Sequence, residues 1–300
     1  MSLVSLVKTS ENTKDSIKKA INQSLNLIDY QWKQEIKNVV IKPNLCYYWD
    51  YSTGQTTDPK FIAALINLIR IKISPDVNFF IVESDASAMK CKYAFKMLGY
   101  EKLAKEYKVK LVNLSKDSCS PIHITINNVK FQFLVPKTIQ ESDLKVNVPK
   151  IKYTMRGIEL TCALKNIYGC NPYPKKFKYH RMLEETIVAL NKVMHFDLCI
   201  VDGNIVSGIQ PRRLGLVMAS QDPVAIDAAA AEIAGLNPEK IKYLQLAEKE
   251  GIGRISYIPR GIPINYFKSR YPRKDFKKKL MGKAYAALLL TGLGKKLGLQ

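Results

Sequence analysis

Apolar positions in the N-terminal part of the chain follow two periods in turn. Residues 3–7 form a short apolar run that reads as a strand. Thr13 then opens a segment in which Ile17, Ala20, Ile21, Leu25 and Ile28 recur at helical spacing. Residues 38–41 are again apolar and β-branched, and they run into the polar loop 42–48. Asp58 and Pro59 supply a cap and a first-turn proline for a helix carrying Phe61, Ile62, Leu65, Ile66 and Ile69. Residues 77–82 read as a buried strand ending in Glu83-Ser84-Asp85. Helical sequence around Phe95 and Leu103 follows, and then a strand over 109–114. Strands alternating with helices at this spacing predict parallel β-α-β units.

The period changes between residues 122 and 135. Ile122, Ile124 and Ile126, then Asn127-Asn128, then Val129, Phe131 and Phe133 predict an antiparallel hairpin on a two-residue turn. Strand patterns return at 144–149, 198–201 and 216–219. Asp222-Pro223 begins a helix that reaches Ala234 and is stopped by Gly235, and Pro238 begins another that ends at Gly251. The predicted class is α/β: a mostly parallel, Rossmann-like sheet flanked by helices, with a hairpin insertion and a basic C-terminal helical tail. Residues 1–253 form the α/β domain and 254–300 an extension.

Composition narrows the class. With 300 residues, 47% of them hydrophobic, and only 15 Gly and 14 Pro, the chain has the make-up of a core-forming globular protein. Its longest apolar run, 284–294, is shorter than a bilayer span, and the N-terminus lacks a signal-peptide pattern, so the expected location is the cytoplasm, with peripheral contact to a membrane as an option. Forty-seven Lys and Arg against 26 Asp and Glu give a net charge of +21, which points to anionic partners. Twelve of those cations, against the single acid Asp275, fall in 254–300. There Phe276, Leu280, Met281, Ala284, Tyr285 and Leu288 share one helical face and Lys277, Lys278, Lys279 and Lys283 the other. The pattern fits a terminal helix docked on the body, or one that docks on an anionic membrane surface or a redox partner, with nucleic acid a weaker match. The six cysteines, Cys46, Cys91, Cys119, Cys162, Cys170 and Cys199, include no C-x-x-C pair, so they read mainly as reduced core thiols.

Ligands of open α/β sheets bind beyond the carboxyl ends of the strands. The residues there are Lys42 and Asn44, then Glu83, Ser84 and Asp85, then Lys150 and Lys152, then Asp202. Lysines and carboxylates converging on one rim suit an anionic small molecule, with or without a divalent cation. Each also has a plainer explanation as a turn cap or an exposed charge, and Asp222 is sufficiently explained as a helix cap. Asp227 could face the site or solvent. The segment 164–181 carries Lys165, Asn166, Gly169, Lys175, Lys176, Lys178, His180 and Arg181. It suits an anion-binding loop in which Lys165 and His180 bind a ligand or move a proton, and equally a basic surface loop with stacked tyrosines, which is the favoured account of Lys175, Lys176 and Lys178. His123 and His195 read as structural.

Residues 39–45 (Val-Val-Ile-Lys-Pro-Asn-Leu), 146–152 (Val-Asn-Val-Pro-Lys-Ile-Lys), 163–169 (Ala-Leu-Lys-Asn-Ile-Tyr-Gly), 179–181, 200–203 and 219–227 resemble, in this order, the domain of unknown function 362 family. The resemblance spans about residues 3 to 253 and implies that Lys42, Asn44, Lys150, Lys165 and Asn166 act as a set. Members often carry a fused ferredoxin-like module and hence an iron-sulfur label; this chain has no such module. Where the family writes Pro-Lys-Leu-Lys-Thr-His, the chain has Lys152-Tyr153-Thr154, without the histidine. The resulting expectation is a protein of enzyme type. Lys42, Lys150, Lys165, Asp202 and His180 are its candidate catalytic residues, and Asn44, Asn166, Gly169, Glu83 and Asp85 are its candidate cofactor-binding residues. A divalent metal would be held by Asp202 or Glu83, and an iron-sulfur cluster on folded-together cysteines is the weaker cofactor option. The rival expectation is an accessory protein that docks through its basic tail.

Overall fold

The computed structural model describes residues 1–33, 35–154 and 158–272. Strand β1 (Ser2–Lys8) leads to helix α1 (Lys14–Leu27), where the Thr13 hydroxyl accepts from the Ser16 N–H at 3.3 Å and caps the first turn. β2 (Asn38–Pro43), α2 (Pro59–Lys72) and β3 (Asn78–Glu83) follow, then α3 (Cys91–Met97), α4 (Tyr100–Tyr107) and β4 (Lys110–Asn113). β5 (Cys119–Ile126) and β6 (Val129–Pro136) form the expected hairpin. Asn127 and Asn128 both take positive φ, 46° and 64°, and asparagine tolerates this better than other side-chain-bearing residues, so the tight turn closes in register. The C-terminal part comprises α5 (Lys137–Gln140), β7 (Leu144–Val148), the ribbon β8 (Lys152–Tyr153) and β9 (Leu160–Thr161), α6 (Ala163–Ile167), α7 (Leu183–Met194), β10 (Leu198–Val206), β11 (Arg212–Ser220), α8 (Pro223–Ile233), α9 (Lys242–Lys249), β12 (Tyr257–Gly261) and α10 (Ile264–Lys268).

Eight strands build one sheet in the order β12-β1-β11-β10-β7-β2-β3-β4. Every neighbouring pair is parallel except the two that involve β11, which runs against both β1 and β10. Alternate residues of each strand face opposite layers, as the pleat requires. Val39, Ile41, Phe79 and Ile81 pack with α1 to α4, whereas Val40, Val82, Val201 and Met218 pack with α6 to α10 and the hairpin. The β2-to-β3 crossover uses α2 on one face and the β7-to-β10 crossover uses α6 and α7 on the other. The winding therefore reverses between the adjacent strands β2 and β7, and in sheets of this kind ligands bind at the carboxyl ends of the strands at such a reversal.

Two features differ from the sequence pattern. α7 is absent from the alternation described above, although Leu183, Ile187, Leu190 and Met194 lie on its buried side. Residues 257–261, in the segment read as an extension, form β12 and pair with β1, so the sheet itself runs past Gly253. The tail helix predicted around 276–288 lies outside the described residues. Among the described residues, no helix is long and apolar enough to cross a membrane.

Candidate functional site

Lys42 is the penultimate residue of β2 and, at 1% exposed, is a buried cation. Its ammonium donates to Glu83 Oε2 at 2.7 Å and to the Pro43 carbonyl at 2.6 Å, while Glu83 Oε1 accepts from the Ser84 N–H at 2.9 Å. Gly169 lies directly over this pair. A Cβ at that position would sit 2.9 Å from Glu83 Oε1 and 3.0 Å from Lys42 Nζ, so the glycine is there because the ion pair fills the space a side chain would need.

Three asparagines form a buried chain beside it. Asn44 Nδ2 donates to Asn166 Oδ1 at 2.8 Å, Asn166 Nδ2 donates to Asn147 Oδ1 at 2.8 Å and to the Lys42 carbonyl at 3.1 Å, and Asn147 Nδ2 donates to the Ala163 carbonyl at 2.9 Å. These bonds lock β2, β7 and α6 to one another through side chains whose donors and acceptors are matched. α6 is held from its other end by buried Asp227, which accepts from the Ala163 N–H at 2.5 Å and the Leu164 N–H at 3.3 Å. Asp227 thus faces inward and positions the helix that carries Lys165 and Asn166. Burial pushes its carboxyl up to about 7.

Lys152, Lys165 and Lys176 surround this core. Lys152 is buried and donates to Asn44 Oδ1 at 2.7 Å and to the Gln55 carbonyl at 2.8 Å. Lys176 is buried and donates to the Ser84 hydroxyl, which donates in turn to the Gly169 carbonyl. Lys165 is half-buried, with its ammonium 4.0 Å from the centre of the Tyr168 ring. Among the described residues, none of the three has a carboxylate within salt-bridge distance. Burial lowers the affinity of Lys152 and Lys176 for a proton. Burial, together with the Lys176 and Lys152 ammonium groups, brings Lys165 down to about 7. The half-buried Cys46 adjoins both Lys152 and Lys165. His180 is exposed, its ring edge-on to Tyr168 at 6.3 Å. Partial burial of the ring and the nearby Lys165 hold it below the usual imidazole range.

A second group sits next to this one. Lys150 lies 3.2 Å from Asp202 Oδ2 and donates to the Ile205 carbonyl at 2.7 Å, so both members of the pair are engaged by each other. The Asp58 N–H donates to Asp202 Oδ2 at 2.9 Å, and burial together with the Asp202 charge raises the Asp58 carboxyl to about 6. These residues line, with Tyr51, Asn204 and Ile205, a crevice too tight to admit a water molecule.

The predicted residues Lys42, Asn44, Glu83, Lys165, Asn166 and Gly169 come together, and Lys150 with Asp202 forms the neighbouring pair. Asp85 is used locally: Oδ1 accepts from the Cys91 N–H at 2.9 Å and from Asn113 Nδ2 at 3.1 Å, fixing the start of α3. Sequence reasoning placed Lys176 among surface lysines, but the fold buries it. Of that trio, Lys178 does stack on rings, those of Tyr173 and Tyr179. Asn147 was passed over, though an asparagine inside an otherwise apolar strand was a visible signal. Asp58 was read only as a cap. Among the described residues, no three His, Cys, Asp or Glu side chains gather as a metal-binding group. Cys162, Cys199, Cys91 and Cys170 are buried thiols that burial raises above the usual range, Cys170 to about 12.

The family model described as "Domain of unknown function (DUF362)" matches residues 39–232. Over 129 residues the chain is 30% identical to the thylakoid-associated protein sll1697 of Synechocystis sp., an alignment covering 39% of this chain and 40% of that protein. Among solved structures, the lactate racemase apoprotein from Thermoanaerobacterium thermosaccharolyticum aligns with a TM-score of 0.47 at 13% identity, covering 79% of this chain and 58% of that one. The chain therefore corresponds to less than two thirds of the length of either protein.

Proposed function

This chain belongs to the DUF362 family, and from that premise, which assigns no chemistry, we propose that it is a protein of enzyme type that binds an anionic small molecule at the carboxyl ends of β2, β3 and β7. One observation carries this reading: three lysines, none with a carboxylate within salt-bridge distance among the described residues, meet at the point where the sheet reverses its winding. Gathering desolvated ammonium groups is unfavourable by itself, and an anion placed among them offsets both the desolvation and the mutual repulsion. Lys152, Lys165 and Lys176 are the anion's ammonium partners. Lys42 is neutralised by Glu83 and holds the floor. The asparagine chain fixes the geometry, and Asp202 with Lys150 shapes the adjoining crevice.

The test is calorimetric titration with sulfate, an anion that carries no titrating group of its own near neutrality. Wild-type protein is expected to bind it, and Lys152→Met and Lys176→Met are each expected to weaken binding at least tenfold, with unfolding temperatures that stay close to wild type. Equal affinities in all three proteins would overturn the assignment.

A second reading, peripheral association with an anionic membrane, is favoured by the +21 charge and by the name of the thylakoid-associated relative. In the full chain, replacing Lys277, Lys278 and Lys279 together with glutamate should abolish co-sedimentation with phosphatidylglycerol vesicles. Sedimentation unchanged by the substitution, or equal with phosphatidylcholine, would remove this reading.

A further inference from the structure

Building on the anion-site reading, we propose that Lys165 is an imine-forming amine and that the ligand is a carbonyl compound bearing a phosphate or carboxylate group. Four aspects of the geometry point there. Lys165 is the one amine of the three that is only half-buried, and the half-buried Cys46 and the exposed His180 lie near it, so it is the most accessible of the three. It donates no hydrogen bond to a protein carbonyl or carboxylate among the described residues; its contact is the face of Tyr168 at 4.0 Å, which leaves the nitrogen lone pair unclaimed once the proton is lost. Lys152 and Lys176 stand beside it as cations already tethered by their own hydrogen bonds, able to hold an anionic group while the carbonyl carbon meets Lys165. The short helix α6 that carries it is fixed at both ends, by Asp227 and by the asparagine chain, so the amine is presented from a rigid base.

A lysine desolvated next to other cations is the recognised way to obtain a neutral amine at physiological pH. A value of about 7 leaves a large fraction of Lys165 neutral, whereas an exposed lysine near 10.4 is neutral only to about 0.1% at pH 7.5. In the step itself, the nitrogen lone pair attacks the carbonyl carbon and the carbonyl π pair moves to oxygen, which takes up a proton to give a carbinolamine. Loss of that hydroxyl and a nitrogen-bound proton as water leaves the C=N bond. No oxidant or reductant is involved.

The experiment uses the full-length protein with one equivalent of pyridoxal 5′-phosphate, glyoxylate or uncharged pyridoxal at pH 7.5. Borohydride then delivers hydride to any C=N carbon and fixes it as a secondary amine, and the modified peptide is mapped by mass spectrometry. The phosphate- and carboxylate-bearing arms tell which anionic group the site prefers. The expected result is labelling of Lys165 at least tenfold faster than exposed Lys178, faster with an anionic aldehyde than with pyridoxal, suppressed by sulfate and absent in Lys165→Arg. Labelling spread over surface lysines while sulfate still binds would overturn the imine assignment and leave the anion site standing. Loss of both sulfate binding and Lys165 selectivity would remove the two together. Equal labelling by pyridoxal and its phosphate would overturn the anionic-carbonyl assignment.

Discussion

Glu83→Ala is expected to destabilise the fold by about 3–5 kcal/mol, because it leaves the Lys42 ammonium buried with no counter-charge. Lys42 and Glu83 are 1% and 3% exposed, so neither relaxes into water without opening the sheet end. The Ser84 N–H also loses its acceptor. For a domain of this size the unfolding temperature should fall by roughly 10 °C. Lys42→Met with Glu83→Leu should recover most of that loss, since a well-packed apolar pair removes both desolvation penalties. Thermal unfolding followed by circular dichroism of the two single variants and the double variant decides it. A Glu83→Ala melt within a degree or two of wild type would mean that the pair is hydrated and that the floor of the site is open.

The second large effect is on pH dependence. Lys165 has its value lowered to about 7, and a bound anion favours its charged form, so binding is coupled to proton uptake. Below pH 7 the amine is already charged and sulfate affinity should be flat. Above it, affinity should fall about tenfold per pH unit, reaching roughly a hundredfold loss at pH 9. The groups facing Lys165 are Lys152, Lys176, Cys46, Glu83 and His180. Among them, burial lowers Lys152 and Lys176 in the same direction. Calorimetry in buffers of different ionisation enthalpy should report uptake of about one proton per sulfate at pH 8, and Lys165→Arg should flatten the profile because guanidinium does not titrate there. A flat wild-type profile between pH 6 and 9 would place Lys165 outside the anion's reach. Imine trapping should show the opposite trend and rise through pH 7, because the neutral amine is the nucleophile.

The same amine also affects stability. The folded state holds Lys165 below its unfolded value near 10.4, so between about pH 7 and 10 the unfolded chain binds more protons and the unliganded fold gains stability as pH rises. Asp58, at about 6, and Asp227, at about 7, work the other way. Each carboxyl holds its proton more tightly in the fold, so stability falls as pH rises from about 4 to those values and stays reduced above them. Of these three groups, Lys165 is therefore the one whose contribution still changes between neutrality and mildly alkaline pH.

Local pattern alone was enough for most of the elements, α7 and β12 excepted. Thr13, Asp58 and Asp222 cap the helices their positions imply, and Asn127-Asn128 turns the hairpin, because caps and tight turns are decided within a few residues of chain. The strand-end rule also picked out Lys42, Asn44, Glu83 and Lys150, since a parallel strand delivers its last residues to a single edge whatever its neighbours are. Tertiary structure decided what those residues meet. Strand order brings β2 beside β7, and this turns Lys42 and Asn147, over a hundred residues apart, into register partners and places the reversal of winding at the site. The same long-range packing buries Lys176 although its neighbours are surface cations, turns Asp227 inward onto α6, and separates Lys42 and Lys150, which are paired with carboxylates, from Lys152, Lys165 and Lys176, which among the described residues have none within salt-bridge distance. Burial and charge pairing are properties of residues distant in sequence, and periodicity along the chain carries no information about them. The chemistry of Lys165 is set by such distant neighbours.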